Sequence, residues 1–212
     1  MFDSQLLTFA VVAAMLTVSP GADTMIVLKN VMRGGRKSGI VASVGVLCGL
    51  LIHMFFAAMG ISIILMQSAE AFYVVKMLGA GYLIWLGLQS IYQSAKGKGL
   101  VLKSEHNVKN DYNFKRSFTE GFVSNILNPK VAVFYLAFFP QFINEGDSVA
   151  VKSFVLASIH YIESIIWLLI LSYSFDYIRR QFTKGSVIKW INRVAGGALV
   201  ALGITLIFEG SE

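Results

Sequence analysis

Two short polar stretches in an otherwise apolar chain contain residues that could bind a small charged molecule. The first is Ser19-Pro20-Gly21-Ala22-Asp23-Thr24, and the second is Asn125-Ile126-Leu127-Asn128-Pro129-Lys130. A carboxylate can receive an ammonium group, and the N-terminus of a broken helix can offer N–H groups to a carboxylate. The two stretches therefore predict a site for a zwitterion. The candidate binding residues are Ser19, Pro20, Gly21, Asp23, Thr24, Asn125, Asn128, Pro129 and Lys130, and Asp23 is also the candidate proton-coupling group.

Each stretch also has a simpler interpretation. A proline within a membrane helix removes a hydrogen bond and often only kinks the helix. A lone buried charge costs several kcal/mol, so Asp23 and Lys130 should each face a partner or water, and they could pair with each other directly or through water. Two prolines in corresponding helices, each beside a charge, favour a binding site over two unrelated kinks.

The composition indicates a membrane protein. Of the 212 residues, 56% are apolar and 14% are charged, whereas a soluble domain has about 25% charged residues. The single cysteine, Cys48, excludes an internal disulfide or dithiol couple. The net charge of +6 lies in short clusters between apolar runs, which follows the positive-inside rule and does not indicate nucleic-acid binding.

Six segments are long enough to cross a bilayer, which takes about 20 helical residues. The predicted spans are Gln5–Leu28, Gly39–Met66, Phe72–Tyr92, Phe118–Ile143, Val151–Asp176 and Ile188–Phe208. The third contains Lys76 and is rich in glycine, so a five-helix alternative remains open. The sequence thus predicts an all-α integral membrane protein.

Positive residues alternate along the connections between these segments. The first, third and fifth connections are rich in Lys and Arg, whereas the second has none and the fourth has at most Lys152. Because cytoplasmic connections retain such residues, both termini are predicted to lie outside the cytoplasm. The long polar connection, Gln93 to Ser117, is predicted to be a cytoplasmic loop.

The prolines of spans one and four suggest two related halves within one transport domain, 1–212. The halves are residues 1–93 and 118–212, joined by the loop 94–117. Because each half has three helices, the second must lie upside down relative to the first, as in the 3+3 inverted repeats of secondary transporters. The two breaks would then face each other.

Other side chains carry weaker signals. His53, His160 and Glu163 lie within predicted spans and could relay protons, although an interhelical hydrogen bond is the expected role. A metal site needs three or four ligands, so no metal and no cofactor is predicted. Small-residue patches predict close helix packing, with a homodimer contact as the alternative. They are Gly45-Val46-Leu47-Cys48-Gly49, Gly79-Ala80-Gly81 and Gly196-Gly197.

The sequence resembles the LysE/RhtB family of bacterial amino-acid exporters along nearly its whole length. The motifs that carry the resemblance are Ser19-Pro20-Gly21-x-Asp23-Thr24, Gly35-Arg36-x-x-Gly39, the Gly49 region, Gly81-Tyr82-Leu83-Ile84-Trp85-Leu86-Gly87, Gly121-Phe122-x-x-Asn125-x-x-Asn128-Pro129-Lys130 and Phe139-Pro140-Gln141-Phe142. The resemblance implies export of an amino acid or similar metabolite across the bacterial inner membrane, driven by protons. Ala22 stands where the family often has a second proline.

Two other functional classes share some of these sequence features. A passive channel or facilitator for small zwitterions would use the same broken helices. A membrane-embedded enzyme is the weaker alternative, because the chain has neither a His-Glu-x-x-His helix nor paired intramembrane aspartates, and Gly60-Ile61-Ser62 has no evident base. The sequence therefore predicts a transporter and not an enzyme.

Overall fold

The computed structural model describes residues 4–67, 69–96, 112–143, 146–174 and 185–208, and these residues form helices and turns but no strand. The helices are α1 (Ser4–Val18), α2 (Ala22–Gln67), α3 (Ala69–Ala95), α4 (Phe114–Ile126), α5 (Pro129–Val133), a π-helical turn (Phe134–Phe138), a 3-10 turn (Phe139–Phe142), α6 (Val149–Tyr173) and α7 (Gly185–Phe208). Most of the predicted cytoplasmic loop (97–111), the fifth connection (175–184) and the chain ends (1–3 and 209–212) lie outside the described residues.

The long helix α2 consists of two parts joined at a sharp bend. Gly34 and Gly35 have non-helical dihedral angles, and Gly35 has φ 70°, which glycine adopts most readily. The bend separates residues 22–33 from residues 36–67, at the place where the first connection was predicted. All six predicted segments are helical, with ends displaced by a few residues. The predicted loop is shorter at both ends, because α3 extends to Ala95 and α4 begins at Phe114.

Two helices among the described residues are long and apolar enough to cross a bilayer. Within the described residues, Ala22–Met59 and Val149–Tyr173 meet that criterion. A third span exists if Phe114–Ile126 and Pro129–Phe142, which meet at 44°, cross the membrane together. The chain is therefore a helical membrane protein, and the count of six spans stays a prediction.

Two helix pairs pack through glycines. A methyl group on Gly45 of α2 would overlap the backbone of Phe118, and one on Gly121 of α4 would overlap that of Ala42. Likewise, α3 packs on α7 where Gly87 faces Gly196. Backbones therefore approach closely, as small residues allow in membrane proteins.

The other predicted patches contribute to packing in part. Gly196 lies at the α3–α7 contact, and a Cβ atom on Gly203 of α7 would lie 2.7 Å from the carbonyl oxygen of Ala80. Within the described part of the chain, a Cβ atom on Gly81 or Gly197 would meet no atom within 4 Å. These two glycines do not mediate helix packing there, and the homodimer alternative stays a prediction.

A cluster of aromatic rings supports the short helices that follow Pro129. The Phe9 ring on α1 lies 5.8 Å from that of Phe134 and 5.2 Å from that of Phe142. All three side chains are buried. Because such rings are large and rigid, they anchor the segment 129–142 against α1.

Candidate functional site

The first helix break lies at Ser19-Pro20-Gly21. In an α-helix the N–H of residue 20 would donate to the carbonyl of Leu16, but proline has no N–H. The helical hydrogen bonds of α1 end with the Ser19 N–H, which donates to the Met15 carbonyl at 3.0 Å. Those of α2 begin with the Met25 N–H, which donates to the Gly21 carbonyl at 3.1 Å. The C-terminus of α1 and the N-terminus of α2 therefore meet at this break.

Lys130 supplies the hydrogen bond to Leu16 that Pro20 cannot make, and it binds a second carbonyl at the same helix end. Its Nζ atom donates to the carbonyl oxygens of Leu16 and Ser19, each at 2.9 Å. A cation at this place is also favoured by the negative end of the α1 dipole. Gly21 leaves room for this approach, because a Cβ atom there would lie 3.1 Å from Nζ.

The second break lies between α4 and α5. Asn128 caps the new helix, since its Oδ1 atom accepts from the Lys130 N–H at 3.1 Å. Pro129 occupies the first turn of α5, where a missing N–H is tolerated because the first N–H groups of a helix have no partner within that helix. Pro129 therefore starts a new helix, and the chain does not continue as one kinked helix.

Asp23 lies in the first turn of α2 and binds residues of the second break. Its carboxylate accepts hydrogen bonds from Ser124 Oγ, Asn125 Nδ2 and Asn128 Nδ2, each at 2.9 Å. The two breaks are thus interlocked, because each charged side chain binds groups of the opposite break.

A direct Asp23–Lys130 pair is absent. Each residue binds other partners, and none of the ion pairs in the described part of the chain joins the two. The hypothesis of a direct pair is wrong for this conformation.

A cavity lies between the breaks and α6. The space in it that is open to the centres of water molecules is about 40 Å³. A single water needs about 10–15 Å³ of such space. The cavity therefore has room for about three waters and must widen to admit an amino acid. Its wall consists of Leu16, Thr17, Gly21, Asp23, Thr24, Val46, Leu50, Asn125, Asn128, Lys130, Val131, His160, Ser164, Trp167 and Leu168.

Most of the predicted binding residues meet at this cavity. Gly21, Asp23, Thr24, Asn125, Asn128 and Lys130 belong to the wall. The other three, Ser19, Pro20 and Pro129, are outside the wall and shape the two breaks.

The two candidate histidines make interhelical hydrogen bonds, as predicted. His53 Nε2 lies 3.1 Å from the carbonyl oxygen of Asn125, so this nitrogen carries a proton. His160 Nδ1 lies 2.8 Å from the hydroxyl of Tyr135. Glu163 Oε2 is buried and has no hydrogen-bond partner among the described residues, so the expected interhelical hydrogen bond is not observed for this atom. No cluster of three metal-binding side chains occurs in the described ranges, and His160 alone of these three candidates lines the cavity.

Sequence reasoning missed an ionic network that joins α2 to α4. Glu120 accepts from Asn30 at 2.9 Å, from Arg33 at 3.0 Å and from Arg116 at 3.1 Å. Lys29 lies 3.7 Å from the same carboxylate. One signal could have revealed it, because Glu120 is the only acidic residue of the predicted span 118–143.

Broken helices interlocked around a partly polar cavity, within an apolar helical bundle, are an arrangement that secondary transporters use for their binding sites. This chain belongs to the LysE type translocator family, whose model matches residues 14–210. The resemblance noted from the motifs is thereby confirmed. Because this family is one of transporters, the chain is a transporter and not an enzyme.

Two relatives match almost the whole chain. An uncharacterized membrane protein YrhP of Bacillus subtilis (strain 168) is 36% identical over 204 residues, covering 94% of this chain and 96% of that protein. A leucine efflux protein of Salmonella typhimurium (strain LT2) is 32% identical over 201 residues, covering 94% and 92%. No solved structure matches the chain.

Proposed function

We propose that this protein exports an aliphatic amino acid from the cytoplasm across the bacterial inner membrane in exchange for protons. The observation that carries the proposal is the Asp23 carboxylate, which three donors of α4 and the second break hold at the wall of the cavity. An acceptor held in this way suits the ammonium group of a substrate.

The rest of the wall favours an apolar side chain. Five of its residues are aliphatic: Leu16, Val46, Leu50, Val131 and Leu168. Burying a branched aliphatic side chain against such a surface stabilises binding by about 1.5–3 kcal/mol. The printed function of the Salmonella relative, leucine efflux, agrees with this chemistry. We therefore take leucine as the first substrate to test.

The helix contacts support an inverted repeat of three plus three helices. The second part of α2 packs along α4, α6 packs on α1 and α2, and α3 packs on α7. If the two halves changed places, the contact between α2 and α4 would become the contact between α6 and α1. The contact between α3 and α7 would be unchanged. Together with the charge alternation, this supports six spans with both termini outside the cytoplasm.

Asp23 is the proposed proton-coupling group. In its charged form it holds the substrate ammonium, and protonation from the outside removes that attraction and releases the substrate. The proton then travels inward on Asp23 during the return. His53, His160 and Glu163 remain secondary candidates. His160 lines the cavity, and His53 binds the carbonyl oxygen of Asn125, whose side chain binds Asp23.

The test uses purified protein in liposomes. Their acidic lumen represents the exterior of the cell, and the neutral buffer around them represents the cytoplasm. We expect L-leucine to accumulate in the lumen, and we expect Asp23→Asn to abolish this accumulation but leave leucine–leucine exchange. A passive facilitator would equilibrate leucine without accumulating it at any pH difference. Protein without flux of any amino acid would contradict the proposal altogether.

A further inference from the structure

Trp167 is a cavity residue with a polar atom that has no partner. It lies on α6 and contributes to the cavity wall. Its Nε1 atom is buried and makes no hydrogen bond with any described residue. Since nearly all buried N–H groups in proteins are hydrogen-bonded, this atom is suited to meet a ligand.

The chemistry of the indole restricts what that ligand atom can be. An indole N–H donates and cannot accept. Thr17 Oγ1 is also buried in the wall without a partner, but a hydroxyl donates or accepts and so does not discriminate. Trp167 therefore requires an acceptor, and on an amino acid that acceptor is the carboxylate.

The groups expected to bind a carboxylate at the second break are largely occupied. The Lys130 N–H already donates to the Asn128 side chain, and two of the three N–H bonds of its ammonium group go to Leu16 and Ser19. At most one N–H of Lys130 Nζ remains for a ligand. A carboxylate with two oxygen atoms needs further donors.

We propose that the Trp167 indole N–H donates to the carboxylate of the bound amino acid, while Asp23 receives its ammonium group. This inference rests on the proposed function and adds a binding residue to the same site. The ring packs against a buried cluster that includes Val27, Leu28 and Leu168. Because that packing holds the indole, its N–H has a defined direction and selects for a carboxylate.

The test compares three ligands in the purified, detergent-solubilised protein by calorimetry. L-leucine has both charged groups, 4-methylpentanoate has only the carboxylate, and 3-methylbutylamine has only the ammonium group. Trp167→Phe retains an aromatic ring and removes the N–H. We expect it to weaken binding of leucine and 4-methylpentanoate about tenfold or more and to leave that of the amine unchanged.

Two matched variants complete the design. Asp23→Asn should show the opposite pattern, with weaker binding of leucine and the amine. Trp190→Phe, at a site 66% exposed on α7, should leave all three affinities unchanged. Equal losses for the three ligands in Trp167→Phe would reveal a packing role and overturn the inference, as would unchanged leucine binding. If the wild-type protein transports and binds no amino acid, the proposed function fails instead.

Discussion

The ammonium group of Lys130 lies 2.9 Å from the backbone carbonyl oxygen of Leu16, the acceptor that loses its helical donor because residue 20 is proline. A side chain of the second break thus completes the hydrogen bonding of the first. Asp23 makes the reciprocal connection by accepting from the second break. The cavity between the breaks therefore depends on both charged residues even though they do not pair.

This relationship predicts non-additive effects of Lys130 and Pro20. Lys130→Met should lower the free energy of unfolding by about 2–4 kcal/mol, because two buried carbonyls lose their donor. In a Pro20→Ala background the N–H of residue 20 can donate to Leu16. Lys130→Met should therefore lower the free energy of unfolding by at least about 1 kcal/mol less in that background than in the wild type. Unfolding in detergent, followed by circular dichroism, measures both differences.

Lys29→Met is the control for this cycle. The Lys29 side chain is 57% exposed, so its loss should change stability by about 0.5 kcal/mol or less. Equal costs of Lys130→Met in the two backgrounds would show that Lys130 does not replace the missing N–H of Pro20.

Gly21 is predicted to be required for transport because it leaves room for Lys130. In Gly21→Ala the new Cβ would lie 3.1 Å from Nζ and 3.4 Å from Cε, so the ammonium group would shift by a few tenths of an ångström within the site. We expect leucine flux in liposomes to fall several-fold at an equal amount of folded protein. Gly197→Ala is the matched control, because no atom lies within 4 Å of its added Cβ. Normal flux in Gly21→Ala would contradict this role.

The Glu120 network is predicted to hold the first part of α2 against α4. Glu120→Gln leaves the Arg33 guanidinium, whose side chain is 13% exposed, without its carboxylate partner. The pair is partly exposed, so we expect a loss of about 1–3 kcal/mol in unfolding free energy. Glu70→Gln, at an exposed position of α3, should be neutral. Equal stability of both variants would mean that the network contributes nothing measurable.

The predicted orientation can be tested with single cysteines in a Cys48→Ser background. One belongs at Asn107, in the predicted cytoplasmic loop and outside the described residues. The other replaces Ser148, which precedes α6 and makes no side-chain cap hydrogen bond. Ser148 is a better site than Gly146, because Gly146 has φ 95° and any side chain there would be strained. We expect an impermeant thiol reagent to label position 148 in intact cells and position 107 only after lysis. Labelling of position 107 in intact cells would refute the six-span topology.

The sequence by itself determined the features that depend on short stretches of chain. Apolar runs of about 20 residues predict the helical segments, and Pro20 and Pro129 predict the two breaks because proline lacks an N–H wherever it stands. The interhelical hydrogen bonds of His53 and His160 followed from the cost of burying a polar group. None of these inferences needed to know which helices are neighbours.

Only the tertiary structure decided which groups bind each other. Lys130 and Leu16 are 114 residues apart in sequence, and Asp23 and Asn125 are 102 apart. Opposite charge suggested that Asp23 and Lys130 pair, but buried carbonyls and amides are competing partners, and their positions depend on how α1, α2 and α4 pack. The same holds for Glu120 and for Trp167, whose unpaired N–H is recognisable only when its surroundings are known. Helix breaks are local because they arise from one residue, whereas a binding site arises from packing between segments that are distant in sequence.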